Sequence, residues 1–88
     1  EGDEQADADT DGATEIHLDF DRVTGYILLK CEKEARKADP LISVMALSQT
    51  YQARVAAAAA KMKYDEILEL SGTDFTAVCL KVQNFLMA

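Results

Sequence analysis

The stretch from Ser43 to Met62 constrains the fold of this chain more than any other. It contains no glycine or proline and includes the alanine run 56–60 near its end, and alanine has the highest helix propensity. Apolar residues recur every three or four positions, which is the spacing of one helix face. We therefore predict a helix over 43–62, roughly 30 Å long, against which the shorter elements pack. The residues of this face are Val44, Leu47, Tyr51, Val55, Ala58 and Met62.

The chain before this helix predicts one extended element and one further helix. Residues 14–20 alternate apolar and polar side chains, as in a strand with one solvated face. Because a lone strand is unstable, we expect either a short β-strand or an extended arm over the helices. A helix is predicted over 25–38, with Thr24 as its N-cap and an end before Pro40. Its expected core stripe is Leu28, Cys31 and Ala35, thickened by Tyr26, Ile27 and Leu29.

Two helices are predicted after the long one. Residues 64–70 have the pattern of a short helix, with Ile67, Leu68 and Leu70 pointing inward. Ser71 and Asp74 form a capping-box pattern that opens a helix over 72–87. Leu41 and Ile42 are expected to be buried in the connection before the long helix. The predicted core face of the last helix is Phe75, Val78, Cys79, Val82, Phe85 and Leu86.

These patterns predict a mainly α fold, a small bundle of about four helices in a single domain over 14–88. Residues 1–13 contain six acids, no base and no apolar residue larger than alanine, so we expect a disordered acidic tail. Residues 14–88 hold ten acids and nine bases. A nearly neutral body without a basic patch argues against nucleic-acid binding, and no apolar run is long enough to span a membrane.

Few residues in the sequence suggest a chemical site. Asp7, Asp9 and Asp11, followed by glycine, match the start of a calcium-binding loop. The twelfth position of such a loop should be Glu and here is Leu18, and no helix is predicted before it. Two interpretations therefore stay open, namely a purely acidic tail and a weak cation site.

Catalysis and cofactor binding are not expected. The single histidine, His17, lies on the polar face of 14–20 with no nucleophile nearby, so we interpret it as solvated. Cys31 and Cys79 lack metal-ligand spacing and fall among apolar helical positions. We expect two buried, reduced thiols in a cytosolic protein, with a disulfide between the two helices as the alternative.

Three runs of sequence carry a resemblance to a known family. They are EIHLDFDRVTGYILLKCEKEAR (15–36), LSQTYQARVAAAAAKMKYDEIL (47–68) and LSGTDFTAVCLKVQNFLMA (70–88). In this order they resemble the tail assembly chaperones of long-tailed bacteriophages and prophages. The family usually opens with a basic-to-neutral β segment, whereas this chain opens with an acidic one.

The resemblance implies a small non-catalytic protein in the cytoplasm of the bacterial host. Such chaperones bind the tail tape measure protein until tail tube subunits polymerise around it, and they are absent from the mature virion. Some also occur in a longer, frameshifted form. Binding of tail tube subunits and self-association are further expectations of the resemblance.

A chaperone of this kind would bury amphipathic helices of its partner against apolar stripes. We expect the Val44–Val55 half of the long helix to be buried and its alanine half to be a slim surface open to another helix. Leu80 and Met87 form a thin stripe that is either ordinary exposed surface or part of the partner site. The candidate partner-binding residues are thus Ala56, Ala57, Ala60, Leu80 and Met87. The alternative functions are a structural virion component, such as a tail or head-completion subunit, and, less favoured, a calcium-binding acidic module.

Overall fold

The computed structural model describes residues 16–88 and folds them into a small helical bundle, as predicted. No β-strand occurs within this range. The predicted acidic tail, and with it the aspartates of the calcium-loop pattern, lies outside the described residues. The bundle consists of α1 (Gly25–Ala38), α2 (Gln49–Ala60), α3 (Tyr64–Leu68) and α4 (Gly72–Leu86), with short 3₁₀ turns at Phe20–Arg22 and Met45–Leu47.

The segment before α1 is an arm rather than a strand. From residue 16 to 19 the chain has no regular secondary structure, and Phe20 then starts a 3₁₀ turn. The backbone N–H of Asp19 donates to the carbonyl of Ala59 over 3.1 Å, which fastens the arm to the end of α2. The strand interpretation of 14–20 is therefore wrong for the part that the structure describes, because α2 takes the hydrogen bond that a neighbouring strand would need.

The long central helix is shorter than predicted because Ser48 interrupts it. The Ser48 hydroxyl accepts from the N–H of Tyr51 over 3.3 Å, so this residue is the N-cap of α2 and the helix starts at Gln49 instead of Ser43. At the other end Lys61 adopts the left-handed conformation with φ 58°, which stops α2 at Ala60. The prediction of one helix over 43–62 was thus wrong at both ends.

Burial along this stretch agrees with the prediction only in part: Tyr51 and Val55 are buried as predicted, but the two ends of the stretch differ from it. Val44 and Leu47 lie before α2 and are 55% and 53% exposed. Ala53, Ala56 and Ala57, by contrast, belong to the core. Small side chains on α2 let α1 and α4 approach its backbone, and the volume is filled by larger residues from those helices and from α3. The largest fully buried side chains are Ile67, Val55 and Val82.

The flanking helices agree more closely with the predictions. Helix α1 has the predicted bounds, and Thr24 caps it by accepting from the N–H of Ile27 over 3.4 Å. Ser71 caps α4 by accepting from the N–H of Asp74 over 3.2 Å. Helix α4 ends one residue before the predicted Met87, and α3 ends before the predicted residue 70.

The predicted core stripes of α1 and α4 are confirmed, but several flanking residues are not buried. Cys31 and Ala35 on α1, and Val78, Cys79 and Val82 on α4, are buried. Phe75, Phe85 and Leu86 are half-buried, and the Phe85 ring stacks on Phe20 with 4.5 Å between centroids. Residues that were expected inside but are exposed are Tyr26, Leu29, Leu41 and Leu68.

Candidate interaction surfaces

The exposed apolar residues of α4 lie on one stripe of that helix. Leu80 and Met87 are 54% and 61% exposed. Gln83 lies between them, three residues after Leu80 and four before Met87, so the three side chains neighbour one another along the same face. The predicted stripe is therefore present on the surface.

Gln83 also joins this stripe to the turn before α2. Gln52, which is only 2% exposed, is the buried polar side chain of the part of the chain that the structure describes. Its Nε2 donates to the Ala46 carbonyl over 2.7 Å and to Gln83 Oε1 over 3.4 Å. A buried amide needs such partners, so this network holds α4 against the 3₁₀ turn Met45–Leu47.

Exposed apolar residues lie on both of these contacting elements. The turn exposes Leu47, and Val44 immediately before it is exposed as well. A shallow groove continues from these two residues along Ile42 and Thr50. Val44, Leu47, Leu80 and Met87 are called the apolar patch below. The exposure of Val44 and Leu47 was not predicted, because an uninterrupted helix over 43–62 would place both side chains in the core.

The alanine part of the predicted partner surface is corrected by the structure. Ala56 is fully buried and Ala57 is 7% exposed, whereas Ala60 is half-buried. Ala57 and Ala60 line two different grooves, which adjoin each other. Ala56 and Ala57 are packed by the protein itself, so they offer no ridge for another helix to approach.

A second surface feature is a basic groove of about 500 Å³ between α1, α2 and the start of α3. Its floor is apolar and includes Ile27, Met62 and the ring of Tyr64. One acidic residue, Glu34, also lines it. The name basic groove is used below for this feature with its four cationic residues, Arg22, Lys30, Arg54 and Lys61. Four of the nine bases of the chain are thus gathered here, which no run of sequence indicated.

Arg54 is the central cation of the basic groove. Its Cζ lies 3.9 Å from the centroid of the Tyr64 ring, in cation–π contact. Its Nε is buried and has no hydrogen-bond acceptor within the described residues. The ion pair recorded in this part of the chain, Arg36 with Glu32 at 3.4 Å, lies on an exposed face of α1. Arg54 therefore forms no ion pair with another of the residues 16–88, although Glu34 lines the same groove.

Both cysteines are buried and free, so no disulfide joins α1 to α4. Burial raises the pKa of the Cys31 thiol, and Glu34 raises it further, whereas Arg54 and Lys30 act in the opposite direction. Burial also raises the pKa of Cys79. A thiol with a raised pKa is protonated at neutral pH and a poor nucleophile, so neither cysteine is a candidate catalytic group.

The remaining candidate positions provide no further site. His17 is exposed, as expected of a solvated side chain, and lies beside Asp19, Arg22 and Lys61. Among residues 16–88 no group of three or more potential ligands could hold a metal ion. No helix in this range is both long and apolar enough to cross a membrane.

Comparison with models of protein families, with curated proteins and with solved structures finds no match to this chain. The fold and both surface features therefore rest on the residues of the chain itself. The resemblance to tail assembly chaperones stays a prediction.

Proposed function

We propose that the chain is a non-catalytic tail assembly chaperone of a long-tailed phage or prophage. It binds the tape measure protein in the cytoplasm of the host and is left out of the mature virion. The motifs of residues 15–88 support this proposal, and the observation that carries it is the exposure of the four large apolar side chains of the apolar patch. Tail tube subunits are a second expected partner.

The apolar patch has the form of a helix-binding surface. Leu80 and Met87 are seven residues apart, so they present two anchors about 10 Å apart along α4. Val44 and Leu47 are further exposed apolar residues, at and just before the turn that contacts α4. An amphipathic partner helix, with its own apolar residues at three- and four-residue intervals, is suited to cover apolar residues spaced in this way.

The size of the patch argues for reversible binding. Each of its four side chains is about half exposed, and covering one would contribute about 1 kcal/mol. The sum is about 4 kcal/mol before the cost of association, which is too little for one copy to hold a partner tightly. Several copies bound along one long tape measure protein would jointly keep it bound, and tube subunits would displace these copies one at a time.

Co-expression with a tape measure fragment tests the proposal. Leu80→Glu and Leu47→Glu each place a charge in the apolar patch, and each should lower the amount of co-solubilised fragment at least fivefold. Leu29→Glu is the matched control, because Leu29 is an exposed leucine on α1 outside the apolar patch and gains the same charge. Ala57→Glu is unsuitable, since a charge at this buried position would unfold the domain.

Three results would contradict the proposal. The first is that both patch variants, shown to be folded by circular dichroism, keep as much fragment in solution as the control. The second is the presence of the chain in purified virions by mass spectrometry, which would indicate a structural subunit instead. The third is heat released on titration with millimolar calcium, which would favour the acidic module.

A further inference from the structure

The basic groove lies next to the point where the N-terminal segment joins the folded body. Arg22, Lys61 and Met62 line the basic groove, and the same three residues line a shallow groove that contains Ile16. The two grooves are therefore neighbours, and the first described residue lies in the second one. The segment 1–13 is joined to this residue by two intervening residues only.

The charges of the segment and the groove are complementary. Residues 1–13 hold six acids and no base, whereas the groove holds four cations and Glu34 alone as an acid. The screening length is about 10 Å at 0.1 M salt. Carboxylates tethered this close to the groove are thus within reach of its attraction at physiological ionic strength.

The cations of the groove lack acidic partners within the folded body. None of Arg22, Arg54 and Lys61 forms an ion pair with another residue in the range 16–88. The same holds for Lys30. Arg54 in addition keeps a buried Nε without an acceptor, which is unfavourable and only partly offset by the Tyr64 ring. Carboxylates from outside this range would supply the missing counter-charge.

We propose that the basic groove binds the acidic segment 1–13 of the same chain. The contact is electrostatic, with carboxylates of the segment lying among Arg22, Lys30, Arg54 and Lys61. A short tether gives an effective concentration in the millimolar range, so an intrinsic dissociation constant of about 1 mM already fills the groove about half of the time. The proposal uses no residue of the apolar patch and is independent of the chaperone function.

Nuclear magnetic resonance of the full chain tests this contact. The native chain is compared with an amide variant in which the six acids become Gln or Asn. At low salt the backbone amide shifts of groove residues should differ between the two chains, and at about 1 M salt, where screening extends only about 3 Å, they should coincide. The amide variant carries Glu1→Gln, Asp3→Asn, Glu4→Gln, Asp7→Asn, Asp9→Asn and Asp11→Asn.

Removal of charge from the groove locates the contact. Lys30→Gln with Lys61→Asn should abolish the difference between the native and amide chains, and Asn is suited to the left-handed conformation at position 61. Lys33→Gln with Lys81→Gln is the matched control, because it removes the same charge from exposed positions outside the groove. A synthetic peptide of residues 1–13, added to the amide variant, should bind at least tenfold more weakly after the groove substitutions.

Three outcomes would overturn the proposal. Identical shifts in the native and amide chains at low salt would show that the segment does not bind the groove. If the amide shifts of the native and amide chains still differed after Lys30→Gln with Lys61→Asn, the contact would lie elsewhere. A difference that grows with protein concentration would show that the segment binds a second copy of the chain.

Discussion

Residues 43–48 and the alanine half of α2 share one pattern of apolar residues but have opposite environments. The first region carries the large side chains Val44 and Leu47, and they are exposed. The second carries Ala56 and Ala57, and they are buried. Residue size therefore does not determine burial here. Where helices cross closely, small residues occupy the contact, whereas Val44 and Leu47 before the Ser48 cap stay more than half exposed.

The largest expected effect tests how tightly the alanine half is packed. Ala56→Leu should lower the free energy of unfolding by about 3 kcal/mol, because Ala56 is fully buried against the neighbouring helices and added methyl groups would have no space. Urea denaturation gives the measurement. Ala77→Leu is the control, since this residue is exposed on α4 and should change stability by less than about 0.5 kcal/mol. Equal midpoints for the two variants would mean that the alanine half is accessible after all.

A smaller effect tests where α2 begins. Ser48→Ala should cost about 1 kcal/mol, because the hydroxyl that accepts from the N–H of Tyr51 is lost. Ser43→Ala provides the comparison, and its exposed side chain should contribute almost nothing. The same urea experiment measures both. If Ser43→Ala were the more damaging substitution, the helix would start where the apolar pattern starts, and Val44 would belong to it.

Local signals explain which helices could be predicted from the sequence. Helix α1 was predicted at both ends, because Thr24 is a capping residue and the residue before Pro40 cannot continue a helix. Ser71 similarly marked the start of α4. Ser48 has the same chemistry, but the apolar spacing continues across it, so periodicity outweighed the cap. The exposure of Tyr26 depends on which side of α1 meets α2, and no local signal carries that information.

The candidate surfaces were predictable only in part, for a related reason. Leu80 and Met87 were identified because they lie on one helix, where spacing in sequence translates directly into position on a face. The basic groove was not, because its cations come from separate parts of the chain. Arg22 lies in the turn before α1, Lys30 on α1, and Arg54 on α2. From composition alone, residues 14–88 were predicted to have no basic patch. The structure corrects this prediction, because folding brings four cations together in the basic groove.

The last prediction uses pH to test the packing of α1 on the alanine half. Cys31 lines the same groove as Ala57, and its pKa is raised chiefly by burial and then by Glu34. In the unfolded chain a thiol ionises at about pH 8.5, while in the folded protein Cys31 keeps its proton to higher pH. The unfolded state then binds fewer protons, so the free energy of unfolding should fall as pH rises above about 8.5 and be unaffected by this group below it.

Urea denaturation at pH 7, 8.5 and 9.5 gives the slope of the free energy of unfolding against pH, and Cys31→Ala should make this slope shallower. Slopes are compared instead of absolute stabilities, because the substitution also removes packing. Cys79→Ala provides a second comparison on α4, where burial alone raises the thiol pKa. If Cys31→Ala left the slope unchanged while Cys79→Ala reduced it, Cys31 would be hydrated. Helix α1 would then pack more loosely on the alanine half than α4 packs on the rest of the core.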